Sequence, residues 1–124
     1  MTTPDSSHRL PLPVAQLHIM LALADGQKHG YAIMGRVEVL TEGSVTMGPG
    51  TLYGAIKRMM KAGLVEEADE RPDPELDDAR RRYYRLTGLG ARALDAEVAR
   101  MERLARIART GWSALGQTLP GGGV

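Results

Sequence analysis

The stretch GPGTLYGAIKRMMKAGL, Gly48 to Leu64, decides the fold. Pro49 suits the first position of a helix, where its missing N–H is not needed, and Gly63 fits a helix stop. Between them Leu52, Ile56, Met59 and Met60 form one apolar face. Gly50, Tyr53, Lys57 and Lys61 fall in one line on the other face, with Thr51, Gly54 and Arg58 beside it. The spacing therefore predicts an amphipathic helix from Pro49 to Ala62 whose free side is cationic and whose N-terminal part carries small residues, Gly50 and Gly54.

Upstream, Pro13 to Ala24 reads as a helix with Val14, Leu17, Met20, Leu21 and Ala24 on its apolar face, closed by Asp25-Gly26. A second helix runs from His29 to Leu40, with Tyr31, Ile33, Met34, Val37 and Leu40 as its buried side and Gly43 as its stop. Ser44 to Met47 reads as a brief strand. Downstream, Leu64 to Ala68 and Arg80 to Leu86 read as the two strands of a hairpin, with Tyr84 and Leu86 on the core side and Arg81, Tyr83 and Arg85 on the other. The segment between them, Asp69 to Ala79, is acidic and contains Pro72 and Pro74, as a loop would. Thr87 is placed to cap a long helix from Gly88 to Leu115.

Three compact helices, a β-ribbon and a long helix make an α+β chain, mostly α. This is the order of a winged helix-turn-helix with a long C-terminal dimerisation helix. The expected organisation is a flexible arm at 1–11, the winged domain at 12–87, the dimerisation helix at 88–115 and a flexible tail at 116–124.

The net charge of +1 conceals a segregation. Between Glu66 and Asp78 stand eight acidic residues and one basic residue, Arg71, whereas the rest of the chain has 15 basic and 7 acidic residues. Arg80, Arg81 and Arg82 follow at once. This asymmetry fits a basic face for a polyanion beside a separate acidic loop; a self-neutralising, solvated loop is the other reading.

The second helix of a helix-turn-helix enters the major groove of DNA, which just admits one helix. Here that is the helix from Pro49 to Ala62. Gly50 and Gly54 allow close backbone approach, and free N–H groups at that end favour a phosphate oxygen. Thr51 and Tyr53 are candidates for base-edge or phosphate contact, and Lys57, Arg58 and Lys61 for phosphates. A packed core tyrosine is the other, less favoured reading of Tyr53. On the wing, Arg80, Arg81, Arg82 and Arg85 suit phosphate or narrow minor-groove contact.

In the last helix, Leu94, Val98, Met101, Ala105, Ala108, Trp112 and Leu115 are spaced 4, 3, 4, 3, 4, 3. Such a seam is the pattern of paired helices, so a homodimer is expected. A helix folded back on its own domain is the alternative. At roughly 40 Å, however, the rod exceeds the body it would lie on. Met20, Met101, Leu104, Ala105 and Trp112 are candidate liners of a small-molecule pocket between the first and last helices. Plain packing is the simpler reading of the same stripe.

In order along the chain, His29-Gly30-Tyr31-Ala32-Ile33, Gly50-Thr51-Leu52-Tyr53, Arg58-Met59 with Gly63-Leu64-Val65, and Arg80-Arg81-Arg82-Tyr83-Tyr84-Arg85-Leu86-Thr87 with Gly90 resemble the PadR family of transcriptional regulators. The resemblance covers about residues 14 to 112 and matches the small subclass with a single C-terminal helix. It implies a homodimeric winged-helix repressor that binds a palindromic promoter site and is released by phenolic acids or other aromatic and lipophilic compounds. It also implies DNA contacts from Thr51, Tyr53, Lys57 and Arg58 and from Arg80 to Arg82. The long acidic wing loop and the absence of Phe depart from the family pattern.

Other chemistry is poorly supplied. There is no Cys, so disulfide scaffolds, thiol catalysis and cysteine metal sites are excluded. His8, His18 and His29 form no metal-ligand pattern, and the serines sit in no nucleophile elbow. No cofactor and no enzymatic activity are expected. No segment reads as a signal peptide or a membrane span, so a cytoplasmic protein with no membrane partner is expected. A winged-helix protein–protein module, docking through the acidic loop, is the alternative function.

Overall fold

The computed structural model describes residues 10–68 and 82–116. The acidic hairpin loop, Arg80 and Arg81, most of the N-terminal arm and nearly all of the tail lie outside the described residues.

Helix α1, Val14–Leu23, starts after Pro13 and packs against the other helices and the sheet. Its buried residues are Ile19, Met20, Ala22 and Leu23, whereas Val14 is exposed and so is Ala24. The expected face was therefore rotated. This helix is apolar nearly all round, and periodicity cannot choose a side where every side is apolar.

Helix α2, Gly30–Leu40, is capped by the His29 ring, whose Nδ1 accepts the Ala32 N–H at 3.2 Å. Ile33 and Val37 carry its burial, with Met34 half-buried. Tyr31 is 70% exposed and Leu40 is also exposed, so neither joins the core as expected. Tyr31 lies two residues from Ile33, about 200° around the helix, and so faces the opposite way. The helix ends in a wrap in which Gly43, at φ 79°, donates its N–H to the Glu38 carbonyl at 2.8 Å.

Ser44 to Met47 is not a strand. Val45 and Met47 pack against the core, which accounts for their alternation. The Thr41 hydroxyl accepts the Val45 N–H at 3.1 Å and holds the segment against the end of α2. The extra strand is β1, Lys28–His29, too short for any pattern to reveal.

Helix α3, Pro49–Lys61, buries Leu52, Ala55, Ile56 and Met59. Met60 is exposed, and Ala55 takes the place expected for it. Gly63, at φ 80°, turns the chain out, and the Leu64 N–H reaches back to the Met59 carbonyl at 2.9 Å. Strands β2, Val65–Ala68, and β3, Tyr83–Leu86, form the wing. The antiparallel sheet has the order β1-β3-β2, with Lys28 opposite Tyr84, Glu66 opposite Arg85 and Glu67 opposite Tyr84.

Helix α4, Gly88–Ala114, follows directly. The Thr87 hydroxyl oxygen accepts the Gly90 N–H at 2.9 Å and donates to the Gly63 carbonyl at 2.6 Å. The Thr87 N–H donates to the Leu64 carbonyl at 3.0 Å. These bonds tie the root of the wing to the start of α4. Only the first part of α4 enters the core, through Gly90, Ala93, Leu94 and Glu97. The fold is thus mostly helical, as the order of elements foretold, with a winged body and a long C-terminal helix.

Candidate nucleic-acid interface

The amphipathicity of α3 leaves a continuous polar face. Gly50, Thr51, Lys57, Arg58 and Lys61 are exposed, Gly54 is half-buried and Tyr53 is 43% exposed. Among the described residues, none of Lys57, Arg58 and Lys61 has a carboxylate within ion-pair distance, so their charge is free for an outside anion. No side chain caps the first turn of α3, because its N-cap is Gly48. The N-terminal N–H groups there keep their partial positive charge.

Gly50 and Gly54, in the first two turns, are not required by the chain itself. A methyl group on Gly50 would meet nothing within 4 Å, and one on Gly54 would reach only Arg58 Nη1 at 3.7 Å. Their bareness therefore leaves a smooth backbone surface, one that the wall of a groove can approach.

Tyr53 is divided between surface and interior. A Cβ on Gly30 would stand 2.2 Å from its hydroxyl oxygen, so the phenol tip rests on the first residue of α2. The neighbouring Tyr84 hydroxyl is pushed above the usual tyrosine range, first by burial and then by proximity to Tyr53 and Glu67, with Arg82 opposing.

The wing presents its cations differently. Arg85 Nε lies 2.7 Å from Glu66 Oε2 across the ladder, and Arg82 Nη1 lies 3.7 Å from Glu67 Oε2. Both pairs are largely exposed to solvent. The register dictated this, since Glu66 stands directly opposite Arg85.

The residues expected to pair chains or to line a pocket are distributed along α4. Leu94 is buried in its own chain and Val98 packs against that core. Met101, Ala105 and Trp112 are half-buried, and Leu104, Ile107, Ala108 and Leu115 are exposed. Met20 is sealed inside the core, whereas Met101, Leu104, Ala105 and Trp112 are not among the side chains packed on it.

One buried group escaped the sequence reading. Glu97 is 1% exposed. Its Oε2 accepts the Leu12 N–H at 2.7 Å, and its Oε1 accepts from Arg100 Nε at 2.5 Å. The Arg100 hydrogen bond, and then the Leu12 N–H, hold the carboxyl below the usual range against the opposing effect of burial. Its place three residues after Leu94 on the apolar stripe was the available signal. Among the described residues no cluster of His, Asp or Glu could hold a metal ion. No helix there is long and apolar enough to cross a membrane.

The profile of the transcriptional regulator PadR-like family matches residues 19–96. An uncharacterised 37.1 kDa protein of transposon TN4556 from Streptomyces fradiae is 38% identical over 90 residues. That stretch is 73% of this chain but 24% of the transposon protein, so the chain spans about a quarter of that relative. Among solved structures, a PadR-like transcription factor from Bacteroides fragilis is 26% identical with a TM-score of 0.59, over 77% of this chain and 86% of that one. A PadR family regulator from Clostridium difficile R20291 gives a TM-score of 0.63 at 24% identity, over 77% and 94% of the two chains. Bacillus subtilis PadR, in complex with operator DNA, gives 0.57 at 19% identity over 71% and 47%, a likeness of fold. The profile match covers more than half the sequence, and the chain belongs to the transcriptional regulator PadR-like family.

Proposed function

We propose that this regulator binds a palindromic operator as a homodimer and represses transcription there. The observation that carries the reading is the exposed face of α3, where among the described residues Lys57, Arg58 and Lys61 have no carboxylate partner and Gly50 and Gly54 leave the backbone open to approach. Two copies of α3, about one helical turn of DNA apart, enter successive major grooves. Thr51 faces the bases or backbone near the helix start, and Arg80 to Arg82 follow the backbone from the wing. Pairing is supported by α4, whose apolar residues beyond Val98 are left without cover by their own core. In this reading the winged unit spans 12–87 and the pairing helix 88–115, and the protein works in the cytoplasm. An aromatic or lipophilic effector, seated near Met101, Leu104, Ala105 and Trp112, releases the DNA.

The test is binding of a fluorescent duplex from the chain's own upstream region, titrated at several salt concentrations. Neutralising about eight phosphates predicts a log–log slope near −7. Lys57→Ala with Arg58→Ala should weaken binding at least tenfold while the melting temperature is kept. Salt-independent binding, or unchanged affinity in that variant, refutes the placement.

A further inference from the structure

Two motifs well separated along the chain, His29-Gly30-Tyr31 and Gly50-Thr51-Leu52-Tyr53, meet at the junction of α2, α3 and the sheet. A Cβ on Gly30 would stand 2.2 Å from the Tyr53 hydroxyl oxygen, 2.8 Å from Tyr53 Cζ and 3.2 Å from Leu52 Cδ2. Gly30 is buried and begins α2 without a positive φ. The backbone there gives no reason for glycine. What glycine supplies is room, and the phenol of Tyr53 fills it.

The ring is 43% exposed, and its inner edge and hydroxyl lie at this junction. Leu52 beside it is fully buried, and Tyr53 lies close enough to Tyr84 on β3 to influence its ionisation. His29, which caps α2, meets Tyr83 edge-on at 5.4 Å, so the same corner also fixes the wing strand. Lys57 lies one turn beyond Tyr53 on the same line of α3. Whatever sets the roll of α3 at Tyr53 also sets where Lys57 and Arg58 point.

We propose that Tyr53 is a positioning residue, whose phenol, seated in the socket left by Gly30, fixes the roll of α3 and the presentation of Lys57 and Arg58 to DNA. Its hydroxyl serves this socket and not a phosphate. The inference rests on the DNA-binding reading above.

The experiment measures duplex binding by full-length variants across a salt series, with operator and random-sequence DNA. Tyr53→Phe keeps the ring in its socket and should leave affinity within about twofold and the salt slope unchanged. Gly30→Ala expels the ring and should lower operator affinity at least tenfold, with random-sequence binding preserved because every cation remains. Gly30→Ala combined with Tyr53→Leu should bind no worse than Tyr53→Leu alone, since the two substitutions destroy one contact. A salt slope reduced by about one in Tyr53→Phe would make the hydroxyl a phosphate ligand and overturn the proposal. Wild-type binding by Gly30→Ala, or losses that multiply in the double variant, would overturn it too. Where Gly30→Ala does not fold, Tyr53→Phe and Tyr53→Leu decide: Phe must keep operator discrimination and Leu must lose it. A wild-type chain that binds no duplex overturns the DNA reading and this inference together; a binding chain with any of the contrary variant results overturns the inference alone.

Discussion

Replacing Gly90 by alanine tests how the wing root is joined to α4. Gly90 sits in the first turn of that helix, where alanine is intrinsically better by about 1 kcal/mol. Its missing Cβ, however, would stand 2.0 Å from the Leu64 carbonyl oxygen and 2.9 Å from the carbonyl carbon. Both are backbone atoms, and the Leu64 carbonyl already accepts the Thr87 N–H at 3.0 Å. The two segments must move apart by about 1 Å, an overpacking that costs about 3 kcal/mol. Subtracting the helix gain leaves about 2 kcal/mol of destabilisation, or roughly 8 °C in Tm for a domain of this size. Gly35→Ala is the control. Gly35 lies in α2, is exposed, and has nothing within 4 Å of its built Cβ, so the same change should raise Tm by about 4 °C. Thermal and urea unfolding at one fixed protein concentration give both values. Gly90→Ala melting at or above the wild-type temperature would refute the close approach.

Three further outcomes are expected. Glu97→Ala leaves the Leu12 N–H buried without an acceptor and should cost about 1 to 3 kcal/mol in urea unfolding. Because the folded carboxyl is held below its unfolded value of about 4.3, the stability it contributes is present above that pH and is lost as pH falls through the folded value. The stability difference between wild type and Glu97→Gln should accordingly shrink on acidification below about pH 4, and a constant difference would argue against an ionised Glu97. Glu66→Gln with Glu67→Gln removes the Glu66–Arg85 and Glu67–Arg82 surface pairs and should raise operator affinity about twofold to tenfold. Asp95→Asn with Glu102→Gln on α4 controls for net charge, and an equal gain there would deny the wing pairs any special part.

How legible the sequence was depended on contrast. In α3 the alternation of Leu52, Ile56 and Met59 with Lys57, Arg58 and Lys61 is sharp, and the bounds and the exposed face were readable to within a residue. The cap at Thr87 was readable for a local reason, a hydrogen-bonding side chain at a helix start, whereas His29 was placed at the start of α2 without its ring being read as the cap. In α1 an apolar surround erased the contrast, and Val14 and Ala24 were placed inside when they lie outside. Strand β1 has two residues and exists only because Tyr83 and Tyr84 offer it a partner, a tertiary fact. The Gly30–Tyr53 contact and the Glu97 bond to Leu12 also join distant segments, which no local pattern encodes. The cationic face was visible as composition, but that its lysines lack partners while Arg82 and Arg85 have them needed the register of the wing.

Gly50 and Gly54, on the exposed start of α3, offer such a reader a way to change its preference. Among the described residues nothing lies within 4 Å of a Cβ built on Gly50, and only the movable tip of Arg58 stands near one on Gly54. New side chains at these two points are tolerated by the scaffold, and in a helix most of them stabilise it. Libraries randomised there would pass through folding almost unfiltered, leaving the choice among target sequences as the sole selection that acts.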